Sequence, residues 1–192
     1  MNLEPPLSRS CAGCDMCCTT LQIRELDKLP WGRCTHQRAD QPGCAIWGEH
    51  PPSCKRYHCF WRRSEDLLPP ELFPPDCGFL VTMDNVEIWP GVVNVCPDPR
   101  RPDAWDTPRN RALFTALSAA WNCPVAIVEP GTLASHVFSP RGGFFSRAER
   151  PDLFPHGGAG LALPYSEYDD DHRPPRERIA AAGFDWRSAL AN

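Results

Sequence analysis

An α+β fold is what this sequence predicts, and three observations carry the expectation. Eight of the eleven cysteines fall between Cys11 and Cys59. Short β-branched runs bounded by turn residues follow at Phe79–Met83, Val86–Trp89 and Val92–Val95. One longer stretch with helical apolar spacing then opens at Thr107-Pro108. A loop-rich cysteine knot is therefore expected over residues 1–63, then a small short-stranded sheet packed with one main helix over 64–140. Residues 141–192 read as a Gly- and Pro-rich C-terminal extension.

Bulk properties bound the rest. A chain of 192 residues suits one globular domain, or a compact domain with a smaller satellite. Apolar residues make up 42% of it, enough for a core, while 23 prolines predict many turns and short elements. The net charge of −4 argues against a bulk polyanion binder. Met1-Asn2-Leu3-Glu4-Pro5-Pro6 has neither the basic nor the apolar region of a signal peptide. The longest apolar run, Ala112 to Val128, is broken by Thr115, Ser118, Asn122 and Pro124 and falls short of a membrane span. A cytoplasmic location without membrane contact is the expectation.

A reducing compartment decides how the thiols are read. Disulfides do not persist there, so a dense cluster points to metal. Cys11, Cys14 and Cys17 recur at intervals of three, and Cys18 adjoins the last of them. A Cys-x-x-Cys turn aims two sulfurs at one point and offers them backbone N–H donors. Cys34, Cys44, Cys54 and Cys59 follow, with nine, nine and four residues between successive members. Three thiols at intervals of three resemble a ferredoxin run more than the two separated pairs of a zinc ribbon. Neighbouring side chains diverge, so Cys17 and Cys18 either serve two metal atoms or one of them does not ligate. The triple spacing and the doublet tilt the choice to an iron–sulfur cluster, with Zn2+ as the alternative.

The intervening elements are short. Thr19–Leu29 reads as a strand passing into a helical turn, and Cys44-Ala-Ile-Trp47 as a ligand followed by an apolar anchor. Pro51–Cys59 opens as a proline-started helical turn with Ser53 as its cap. A regular helix would set Cys54 and Cys59 about 140° apart, so a break near His58 is required if both face one metal. Further on, Leu113, Phe114, Leu117, Ala120 and Trp121 form the inward face of the main helix. Pro124–Val128 is a buried strand, and Leu133–Phe138 pairs with it across Pro130-Gly131.

Cys-x-x-Cys-x-x-Cys-Cys, a later Cys, Cys-x-Ile-Trp and a closing Pro-x-x-Cys-(x)4-Cys resemble the YkgJ-type cysteine-cluster family. That family is described as zinc- or iron-chelating, and some members are labelled iron–sulfur-cluster proteins. The likeness is specific over residues 11–63 and looser to about Phe138. It implies metal ligation by Cys11, Cys14, Cys17, Cys18, Cys34, Cys44, Cys54 and Cys59. Where some members carry Arg-Pro before the third distal cysteine, this chain has His50-Pro51.

The expected function is metal binding, with the centre structural or accessory and a protein as the partner class it would serve. An iron–sulfur oxidoreductase exchanging electrons near Trp47 or Trp61, or a metal-free thiol redox module, are the alternatives. Nine Lys/Arg face six Asp/Glu in residues 1–63, so Lys55, Arg56, Arg62 and Arg63 read as neutralising thiolates. Nucleic acid binding is disfavoured on that balance. Cys77, Cys96 and Cys123 lie in apolar segments and read as small hydrophobes. His58, beside Cys59, reads as a surface residue or one placed behind the ligands. Gly157-Gly158-Ala159-Gly160 lacks the strand and lysine of a phosphate loop, and Asp169–Asp171 lacks the spaced ligands of a calcium loop. No nucleophile–base–orienter set is legible.

Overall fold

Val, Ile, Phe and Leu dominate four of the five segments that pair into a single mixed sheet, where β-branched and aromatic side chains fit a pleated, buried surface. The computed structural model describes residues 8–65, 67–84, 92–121, 123–130 and 134–151. Strands β1 (Phe79–Asp84), β2 (Val92–Pro97), β3 (Val125–Val128), β4 (Ala134–Phe138) and β5 (Phe144–Ser146) lie side by side in sequence order. β2 runs parallel to β3, with Val95 opposite Ile127, and the other neighbours are antiparallel. A parallel pair needs a crossover, which the longest helix of the described residues, Pro108–Trp121, supplies. Every residue of β2 and β3 is buried, as befits central strands covered on both faces.

Among the described residues four shorter α-helices precede the crossover: α1 (Met16–Thr20), α2 (Pro52–Arg56), α3 (Phe60–Arg63) and α4 (Pro74–Cys77). The crossover helix is therefore α5. Thr107 caps it, its hydroxyl accepting from Asn110 N–H at 3.1 Å. Leu113, Phe114, Leu117 and Trp121 are buried as the spacing predicts, while Ala120 is only partly so. Ser118 joins them, its hydroxyl 2.8 Å from the carbonyls of both Cys123 and Phe138.

Alternation along β1 separates the two covered faces. Phe79 meets Phe114 of α5 edge-on with ring centroids 5.6 Å apart, whereas the next side chain, Leu80, forms part of the wall of a cavity built by the first third of the chain. Gly78 makes the bend between α4 and β1. At φ +81° it caps α4, and a Cβ there would stand 2.6 Å from Ala104 Cβ. The sheet also passes residue 140, because Phe144 and Phe145 pair with Phe138 and Val137.

The strand expected over Val86–Trp89, the glycine-rich run and the acidic run lie outside the described residues. Among the described residues no helix is long and apolar enough to cross a membrane.

Candidate metal centre

Each of the eight clustered cysteines is held by a short local device. Cys14 N–H donates to Cys11 carbonyl at 3.0 Å, closing the first Cys-x-x-Cys turn. Gly13 sits inside it at φ +77°, which a side chain would oppose. Helix α1 then buries Met16 and Thr20 on one side. Cys17 and Cys18 stand between them, turned about 100° from each other around the axis. The expected strand at Thr19 does not form. The chain instead makes a 3₁₀ turn over Arg24–Leu26, and Ile23 and Lys28 bond reciprocally across it at 3.0 Å.

Cys34 N–H donates to Cys18 carbonyl at 3.1 Å, fixing the second cysteine segment beside the first. Gln37 bonds back to Cys34 and bridges to Cys44, so a small hairpin carries Cys44 to the same place. Cys54 lies on α2, whose cap is Pro51 and not Ser53. Ser53 is instead spent on Glu25: its N–H and hydroxyl donate to the carboxylate at 3.1 and 2.7 Å. The break required near His58 is present. Helix α2 ends at Arg56, Tyr57 is extended, and Cys59 precedes α3 in an extended conformation.

All eight of these thiols line one cavity of about 700 Å³, together with His36, His50, His58, Lys55 and Arg62. Cys77, Cys96 and Cys123 are elsewhere, the last two buried and Cys77 donating to Phe79 carbonyl at 3.2 Å. Leu21, Ile23 and Leu80 give the wall an apolar part, and Ser10, Arg38 and Gln41 a polar one. Trp47, expected as an apolar anchor, is 64% exposed and stacks on His50 at the rim, with ring centroids 4.9 Å apart.

Burial governs the protonation of these thiols. It pushes Cys14 strongly up, and raises Cys54 and Cys59 to about 11. Cys44 is also raised by burial, and Cys11 likewise, although Arg62 opposes the latter by charge and a hydrogen bond. Cys17 is held well up because it gives its hydrogen bond to Cys18 and is itself buried. Cys18 alone moves down, stabilised as thiolate by Cys17 and by the positive charge of Lys28.

Lys28 is the residue that sequence reading missed. It is 6% exposed, and its ammonium donates to the carbonyls of Thr19 at 3.2 Å, Leu29 at 3.0 Å and Leu21. Burial lowers its pKa, while Cys34, Cys18, Cys17 and Cys54 press it back up. Nothing in Leu26-Asp27-Lys28-Leu29 distinguishes this lysine from a solvated one. A second cation, Arg62, is partly buried and lines the cavity itself. Its Nε donates to Arg9 carbonyl and a guanidinium nitrogen lies 2.9 Å from His58 Nδ1.

The donor chemistry fits a thiophilic divalent ion or cluster: soft sulfur ligands, protons that a cation would displace, and two cations beside the sulfurs, one of them buried. The spacing is wider than ligation demands. Among the described residues no three Cys, His, Asp or Glu side chains are gathered closely enough to hold an ion. No protein-family model, curated protein or solved structure matches the chain.

Proposed function

We propose that this protein binds a transition metal centre through Cys11, Cys14, Cys17, Cys18, Cys34, Cys44, Cys54 and Cys59, and that the centre is structural or serves a partner protein. One observation carries the reading: the eight clustered thiols share a cavity that the remaining three do not enter. The resemblance of their spacing to the YkgJ-type family points the same way. An iron–sulfur cluster is placed ahead of Zn2+ on the triple spacing, and a reducing, cytoplasmic setting keeps the thiols available.

When bound, the metal supplies a positive centre that holds sulfur anions together; the chain's own residues do the rest. Lys28 and Arg62 bring positive charge beside thiolates, and Leu21, Ile23 and Leu80 line part of their cavity. The short helices and turns of this region would let the thiols approach to ligand distance around a bound centre.

The test is a visible spectrum with metal analysis on protein purified without oxygen. Stoichiometric metal, with the eight thiols shielded from alkylation until a chelator is added, is the expected result. Folded, metal-free protein whose eight thiols all react at once overturns the proposal.

Electron transfer is a second reading, favoured by the exposed Trp47–His50 stack at the cavity rim. It demands a redox-active chromophore, so colourless protein holding only zinc eliminates it.

A further inference from the structure

Resting on the metal reading above, we infer that the eight thiols are divided into two sets of four, Cys11, Cys14, Cys17 and Cys59 in one and Cys18, Cys34, Cys44 and Cys54 in the other, each holding its own centre. Backbone ties sort most of them. Cys11 and Cys14 share the first turn. Arg62, three residues past Cys59, reaches back to Arg9 carbonyl at 2.9 Å, and Cys59 carbonyl accepts from Arg62 N–H at 3.0 Å, so Cys59 is strapped beside Cys11. In the second set Cys34 N–H bonds Cys18 carbonyl, Gln37 N–H bonds Cys34 carbonyl, and Gln37 bridges to Cys44. Cys54 is fastened to the segment between Cys18 and Cys34 through Ser53 and Glu25.

The side chains divide along the same line. Cys14 has Cys59 and Cys11 as its thiol neighbours, and Cys17 has Cys14 and Cys59 besides the adjoining Cys18. Cys44 and Cys54 each neighbour Cys34 and Cys18. Cys18 adjoins Cys17 of the first set, so its place is decided by the bond its carbonyl accepts from Cys34 N–H and by the ammonium it shares with Cys34 and Cys54. Each set then has one adjacent cation: the half-buried Arg62 beside Cys11 and Cys59, the buried Lys28 beside Cys18, Cys34 and Cys54. Four thiolates around a divalent ion leave a charge of about −2. One adjacent cation per set halves it. The Cys17-Cys18 doublet becomes the seam between the two centres, one sulfur turned to each.

The experiment is cobalt(II) titration of the full-length, reduced chain under anaerobic conditions, read by thiolate-to-cobalt absorption and by metal per chain. Wild type takes up two ions. Cys14→Ser and Cys44→Ser each retain one. The double variant Cys14→Ser/Cys59→Ser also retains one, whereas Cys14→Ser/Cys44→Ser retains none. Loss of both ions in the same-set double, or retention of one in the cross-set double, overturns the division while leaving metal binding intact. A wild-type chain that takes up no cobalt overturns the metal reading beneath it. Should a variant fail to fold, wild type loaded with one ion decides: after alkylation, molecules carrying four labels should bear them all on one set. Labels mixed across the sets in a single molecule overturn the inference.

Discussion

Replacing Lys28 by Met keeps the length of the stem and deletes its charge and three donors. The ammonium serves the carbonyls of Thr19, Leu21 and Leu29. Hydrogen bonds to a charged group contribute about 1.5–3 kcal/mol each, and desolvating the ammonium takes back several kcal/mol of the total. A net destabilisation of about 2–4 kcal/mol is expected for the metal-free chain. The effect on metal is separate. At an effective dielectric of about 20, unit charges 4–8 Å apart interact by about 2–4 kcal/mol. A thiolate centre that loses Lys28 should therefore bind its ion about 30- to 1000-fold more weakly. Chelator competition with cobalt(II), run beside urea denaturation, measures both quantities. Lys28→Arg should retain most of the metal affinity while recovering little of the stability, because a planar fork cannot serve three carbonyls placed around a point charge. Wild-type affinity at both centres in Lys28→Met would refute the claim that this lysine neutralises thiolates.

Three further outcomes are expected. Cys59 is raised from its ordinary value of about 9 to about 11, so in the metal-free chain its contribution is complete below the lower value and lost as pH climbs through the upper one. That loss amounts to about 3 kcal/mol, read by denaturation at rising pH. Metal-loaded protein has the opposite sign, because protons compete for the same sulfurs and acid releases the ion. Gly78→Ala meets Ala104 at 2.6 Å with φ at +81°, and should cost about 2–5 kcal/mol from backbone strain and overpacking together. Phe114→Ala empties a fully buried site between Phe79 and Phe138, costing about 3–5 kcal/mol in thermal or urea denaturation. Its metal stoichiometry should be unchanged, since α5 packs on the opposite side of β1 from Leu80 and the cavity.

Patterns that are local in the chain were legible from it. Strand β1, strand β2, the start and buried face of α5, and the β3–β4 pairing follow from alternation, proline placement and apolar spacing. The break between Cys54 and Cys59 was expected from helical geometry on the premise that both face one metal, and it is present although the division inferred above sends them to different centres. Features set by distant partners were not legible. Ser53 has the chemistry of a cap but bonds Glu25, twenty-eight positions away. Trp47 looks like a core residue, yet the hairpin that delivers Cys44 leaves it at the rim. Strand β5 is three residues long in a glycine-rich stretch and gains its place only by pairing with β4. Lys28 was invisible because a buried lysine is recognised by the carbonyls and sulfurs it meets, none of which is near it in pattern.

Two cations adjoin the thiols, Lys28 buried and Arg62 only partly so. In the metal-free chain most of the thiols are pushed towards their neutral form, and only Cys18 moves towards charge. Lys28 then sits desolvated with little negative charge around it: among the described residues its ammonium meets carbonyls and thiols but no carboxylate. Burying a cation in that way is costly unless an anion arrives. Methionine would fill the space but forfeit the three carbonyl bonds that offset the desolvation of the ammonium. On the proposed function, thiolates created by metal loading would give Lys28 and Arg62 anionic partners as well. A region whose helices are only four or five residues long has little intrinsic propensity to hold itself together. On the proposed function it would gain most from centres that join eight positions spread over nearly fifty residues, each with a cation beside its thiols.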